Sequence, residues 1–151
     1  MGMITGERVV EIDAPVERCY AIAADVESSP EWQGSLRSVE VLERDSERRP
    51  VLLETESDAK VKSVRARLRF TYEPTAHIRW VQEKGDMKSL EGSWRFERLG
   101  DGRTRATYAL AAEPGRMLGM LLRGPAEGKV RDFLLGGAAE GLKAHAERSG
   151  R

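Results

Sequence analysis

The chain has 151 residues, 40% of them apolar and 33% charged, with 25 lysines and arginines against 25 aspartates and glutamates. That length suits one domain over residues 1–151 with a core of its own. The balanced charge excludes a general nucleic-acid binder, whose affinity comes from neutralising phosphates, and gives no attraction to anionic lipid.

Residues 7–13 read as a first strand, rich in β-branched side chains. Pro15 follows where a helix can begin, because the first turn needs no N–H from it. Val16, Cys19, Tyr20 and Ala23 then recur at helical spacing. Ser28 and Ser29 ahead of Pro30 predict a second short helix, carrying Trp32.

Strands are expected over 36–45, 50–58, 61–72, 77–84, 87–98 and 103–112. In the third of these, Val64, Ala66, Leu68, Phe70 and Tyr72 point one way, and Arg65, Arg67, Arg69 and Thr71 the other. The arginine row reads as a solvated face with Glu54, Glu56 and Asp58 as cross-strand partners. The alternative is an inverted face, with one arginine turned inward to hold a carbonyl or carboxylate. Ile78 and Trp80, then Leu90, Trp94 and Phe96, mark the next two strands. Gly100-Asp101-Gly102 is a tight turn. After it Thr104, Ala106, Tyr108, Leu110 and Ala112 alternate against Arg103, Arg105 and Thr107.

From Met117 the period changes. Met117, Leu118, Leu121, Leu122, Ala126, Val130, Phe133, Leu134, Gly137, Ala138, Gly141 and Leu142 share one helical stripe. Gly124-Pro125 interrupts it, so a break or kink belongs there. Gly136, Gly137 and Gly141 weaken helix propensity and suit a close approach of helix to sheet. The expected class is α+β. A curved antiparallel sheet of about six to seven strands, with two short helices after the first, wraps around one long C-terminal helix, the only element large enough to cover it.

This order resembles the START-like, helix-grip superfamily (SRPBCC), and within it the bacterial polyketide cyclases/dehydrases. The matching pieces are Val10-Glu11-Ile12-Asp13-Ala14-Pro15-Val16-Glu17, then Asp25-Val26-Glu27 leading to Pro30-Glu31-Trp32, then the long C-terminal helix. The likeness runs from about Arg8 to Arg148. It implies a deep cavity between sheet and helix. Proteins of this shape act as aromatase/cyclases, lipid or quinone carriers, hormone receptors or plain binding proteins, so the fold does not name an activity.

The residues reach a compatible place. Phe70, Tyr72, Trp80, Leu90, Trp94 and Tyr108 are candidates for the concave face, with Met117, Leu121 and Leu122 above them. Trp32 either packs or closes one end. Such a lining suits a small apolar ligand.

Residues suited to catalysis are sparse. His77, after Pro74-Thr75-Ala76, reads as a solvent-facing turn residue, and His145 as a cation near the end of the last helix. Cys19 reads as a small buried hydrophobe; a lone cysteine allows no disulfide and no cysteine metal site. No metal motif, phosphate loop or nucleophile elbow appears, so neither metal nor cofactor is expected. A cyclase needs a positioned proton carrier, for which Tyr72, Tyr108 and Glu91 are the candidates.

Three functions follow. The first is a carrier or sensor of a small hydrophobic molecule: lipid, quinone or polyketide. The second is a polyketide cyclase/dehydrase. The third is a chaperone-like partner-binding module, with an exposed apolar patch around Met117–Leu122. With no signal-peptide run and no stretch of roughly 18 apolar residues, a cytoplasmic monomer or homodimer is expected.

Overall fold

The computed structural model describes residues 4–58, 63–115 and 125–149. In chain order they form β1 (Ile4–Ile12), α1 (Val16–Ala24), a 3-10 turn (Val26–Glu31), β2 (Leu36–Arg44), β3 (Pro50–Asp58), β4 (Ser63–Glu73), β5 (His77–Gly85), β6 (Ser89–Arg98), a second 3-10 turn (Gly100–Gly102), β7 (Thr104–Glu113) and α2 (Pro125–Ser149). The strands make one antiparallel sheet in the order β1-β7-β6-β5-β4-β3-β2. From β2 to β7 each strand neighbours the next in sequence, as short connections require, and β1 lies beside β7 at the opposite edge from β2.

The period-two pattern decides the faces. Ala66, Leu68 and Phe70 on β4, and Thr104, Ala106 and Tyr108 on β7, are buried. The arginines between them face outward, which settles the inverted alternative. Arg67 pairs with Glu54 at 2.8 Å and Arg65 with Glu56 at 3.3 Å, while Arg69 reaches Glu83. The third anticipated partner, Asp58, pairs with Arg37 instead, at 3.2 Å. Exposed pairs of this kind add little stability each; their effect is to keep the convex face wet.

The core lies between the concave face and the helices. Val16, Cys19 and Ala23 of α1, and Leu135, Ala138, Ala139, Leu142 and Ala146 of α2, join one apolar cluster with the sheet aromatics. Helix α2 packs on β1, β7 and α1. Its C-terminal half is tied to the end of β1: Lys143 Nζ donates to the Glu11 carbonyl at 2.7 Å, and the Asp13 N–H to Glu147 at 2.9 Å. Thr104, fully buried, donates its hydroxyl to the Ala14 carbonyl at 2.8 Å and so joins β7 to the entry of α1.

Two expectations change. The second short helix does not start at Pro30. It is a 3-10 turn from Val26, opened by the Ser28 N–H to the Asp25 carbonyl at 3.0 Å, and Pro30 lies inside its end. Trp32 caps the C-terminal end of this turn. His77 is the first residue of β5, half-buried, with Nδ1 3.2 Å from Glu73. The described part of α2 begins at Pro125, and the break expected at Gly124-Pro125 reaches into residues outside the described ones. Met117, Leu118, Leu121 and Leu122 lie outside the described residues. No helix among the described residues is long and apolar enough to cross a membrane.

Candidate functional site

A cavity of about 130 Å³ opens between the concave sheet, the segment 29–36 and α2. That is some ten times the ~10–15 Å³ that one water needs. It lies toward the end of the sheet where β1 begins and β7 ends, since Ile4, Leu90 and Ala112 line it and are neighbours in the ladder.

Its sheet wall follows from register. Phe70 stands opposite Trp80, and Trp94 opposite Tyr108, in adjacent antiparallel pairs. All four therefore project from one face. Phe70 stacks on Trp80 with ring centres 5.4 Å apart, Trp80 meets Tyr108 at 5.8 Å, and Tyr108 meets Trp94 at 4.8 Å. Offset and tilted arrangements at these spacings are the favoured ones for aromatic rings. Gly92, opposite Trp80, leaves the space that its indole fills. Leu135 of α2 borders the cavity from the helix layer.

The expected lining residues divide. Phe70, Trp80, Leu90, Trp94 and Tyr108 line the cavity together. Trp32 does not. It is buried with its ring 6.2 Å from that of Trp94, and its indole N–H has no hydrogen-bond partner among the described residues. Tyr72 shares the concave face but stands beyond the cavity; its hydroxyl donates to the Pro50 carbonyl at 2.6 Å, and Arg49 sits over its ring. Glu91 is on the convex face, exposed and 3.4 Å from Arg79, so it cannot act in the cavity. Alternation explains this: Leu90, Gly92 and Trp94 point inward, so Glu91 cannot.

Sequence reading missed a polar wall. Ser29 lines the cavity from the 3-10 turn, Gln33 and Ser35 from the segment after it, and Thr55 and Ser57 from β3. The sequence places Ser29 at the start of a short helix and assigns Gln33 and Ser35 no role; only the fold-back of this segment over the sheet brings the three to the cavity. The Gln33 side chain lies beside the Tyr108 phenol and favours its ionised form by hydrogen bonding. Burial pushes the Tyr108 phenol up to about 12 against that bond, so it stays neutral and serves as a hydrogen-bonding group.

Among the described residues the lining carries no charged side chain. Arg8 pairs with Tyr108 in the β1–β7 ladder and so belongs to the concave face, half-buried and engaged in an interaction of its own. Among the described residues no group of three or more histidine, cysteine, aspartate or glutamate side chains is placed to hold a metal ion.

Known structures share this architecture. A START superfamily protein from Mycobacterium smegmatis superposes with a TM-score of 0.83 at 22% identity, over 96% of this chain and 98% of that one. A protein from Thermus thermophilus gives 0.82 at 26% identity, over 99% of both chains. The Zhui aromatase/cyclase from a Streptomyces species gives 0.75 at 20% identity, over 99% of this chain and 96% of that one. Comparison with curated proteins finds no match. The sheet and C-terminal helix are thus the helix-grip fold of the START superfamily. The sequence profile of one family matches residues 12–135, and the chain belongs to it: polyketide cyclase / dehydrase and lipid transport.

Proposed function

We propose that the chain binds a small, largely apolar molecule, a lipid, quinone or polyketide, in the cavity between sheet and α2, as a carrier or sensor. The observation that carries this reading is the convergence of Phe70, Trp80, Leu90, Trp94 and Tyr108 on one cavity. Such a lining with a few placed polar groups is what small-molecule sites use. General acid–base catalysis works best with a group whose pKa lies near the operating pH. Tyr108, the titratable group of the described lining, stays neutral far above neutral pH.

Trp94→Arg should abolish uptake of a hydrophobic fluorescent probe while the far-ultraviolet circular dichroism of the sheet persists. Leu90→Arg, at a half-buried position of the same lining, is the milder companion. Unchanged uptake in both variants overturns the reading.

One observation favours a second reading, a polyketide cyclase/dehydrase. Tyr108 and Gln33 place a neutral phenol and an amide together inside the cavity, a pair able to hold and polarise a carbonyl. Full turnover of a polyketone by Tyr108→Phe would remove that reading. Tyr72 and Glu91, outside the cavity, have no part in it.

A further inference from the structure

Given the reading above that the cavity binds a small molecule, we infer that the ligand is electrically neutral and carries a hydroxyl or carbonyl oxygen, which Gln33 and Tyr108 engage.

The lining is two-sided. Strands β4–β7 contribute rings and aliphatic groups, whereas Ser29, Gln33, Ser35, Thr55 and Ser57 gather on the side of the 3-10 turn and β3. This polar side is held in place by its backbone. The Gln33 N–H donates to the Ser29 carbonyl at 2.8 Å, the Leu36 N–H to the Gln33 carbonyl at 3.0 Å, and the Asp58 N–H to the Ser35 carbonyl at 2.7 Å. The segment is thus tied to the turn behind it and to the end of β3, and its side chains form a fixed wall.

The chemistry of that wall selects the ligand. A primary amide and a phenol each donate and accept, so the Gln33–Tyr108 pair can meet a hydroxyl or a carbonyl equally well. A carboxylate is a different matter. Burying an ion away from water is expensive unless an opposite charge meets it, and the described lining supplies none. Arg8, the cation on that face opposite Tyr108, is already engaged. A fatty-acid head group is therefore disfavoured against a phenol, alcohol, ketone or quinone.

Equilibrium dialysis of the whole chain with naphthalene, naphthol and naphthoate near neutral pH separates the possibilities. Naphthol should bind roughly 5- to 10-fold more tightly than naphthalene, the effect of one added hydrogen bond. Naphthoate should bind at least about 10-fold more weakly than naphthol, because its charge must be buried. In Gln33→Leu and in Tyr108→Phe the naphthol-to-naphthalene ratio should fall toward one, a ratio that cancels any general loss of fit. Equal affinities for all three, or a naphthol preference that survives both substitutions, overturns the inference and leaves the cavity reading standing. Naphthoate binding tightest also overturns it and points to Arg8. No binding of any probe sinks the cavity reading, and this inference with it.

Discussion

The indole of Trp80 lies across Gly92, its partner in the β5–β6 ladder, in the space that a side chain at 92 would occupy. The missing side chain on β6 is what lets the ring lie flat along the cavity wall. In Gly92→Ala the new methyl overlaps the indole, so the ring must swing toward the cavity or the strands must part. Overpacking of this kind costs about 1–3 kcal/mol. The variant should show a lower urea midpoint and weaker uptake of a hydrophobic probe. If both stay at wild-type values, Trp80 does not depend on Gly92 in this way.

A second glycine controls the approach of α2. A methyl at Gly141 would run into the backbone carbonyl of Trp32, whereas one at Gly137 would meet nothing within 4 Å. Alanine gains up to about 1 kcal/mol over glycine from helix propensity alone. Gly137→Ala should therefore stabilise the protein by up to that amount. Gly141→Ala should lower stability despite the same gain, because the helix must lift from the turn that Trp32 ends. Thermal melts of the two variants check this, and the opposite order would refute the close approach.

Alkaline pH should weaken the fold through its buried phenols. Tyr108 is pushed up to about 12 by burial, and Tyr72 is raised also, chiefly by burial, whereas an unfolded phenol ionises near 10. Between those values the unfolded chain has lost the proton and the folded chain keeps it. Unfolding then releases protons, and stability falls as pH rises, by up to about 1.4 kcal/mol per pH unit for each such group. Tyr108→Phe should flatten this fall between about pH 10 and pH 12 without removing it, since Tyr72 remains. Denaturant midpoints on either side of that window measure the effect. An identical alkaline fall in the variant would contradict it.

How far the chain could be read follows from these same residues. Wherever a side chain's face is set by alternation along a single strand, as for Phe70, Arg67 or Tyr108, position in the sequence suffices. Glu91 was legible on that rule too, once Leu90 and Trp94 are placed inward. Tyr72 was not: its face is right, but its distance along β4 takes it past the cavity, and that depends on sheet curvature. The Ser29–Ser35 wall and the burial of Trp32 rest on a segment folding back over the sheet, with i→i+3 bonds that leave no periodic trace. On α2, Ala138 and Leu142 stood in the predicted stripe, while buried Leu135, Ala139 and Ala146 fell outside it. The buried positions 135, 138, 139, 142 and 146 themselves recur at ordinary helical spacing, so the predicted stripe, drawn through Gly137 and Gly141, was set out of phase with the face that α2 buries.

The central claim is that the cavity holds a small apolar molecule. Native mass spectrometry of freshly purified protein, followed by solvent extraction of whatever adds mass, tests it most directly. The expected result is a discrete mass adduct that extracts as a neutral, oxygen-bearing apolar compound and is missing from Trp94→Arg prepared in the same way. A clean mass for the wild-type chain, with no uptake when hydrophobic compounds are supplied, would contradict the claim.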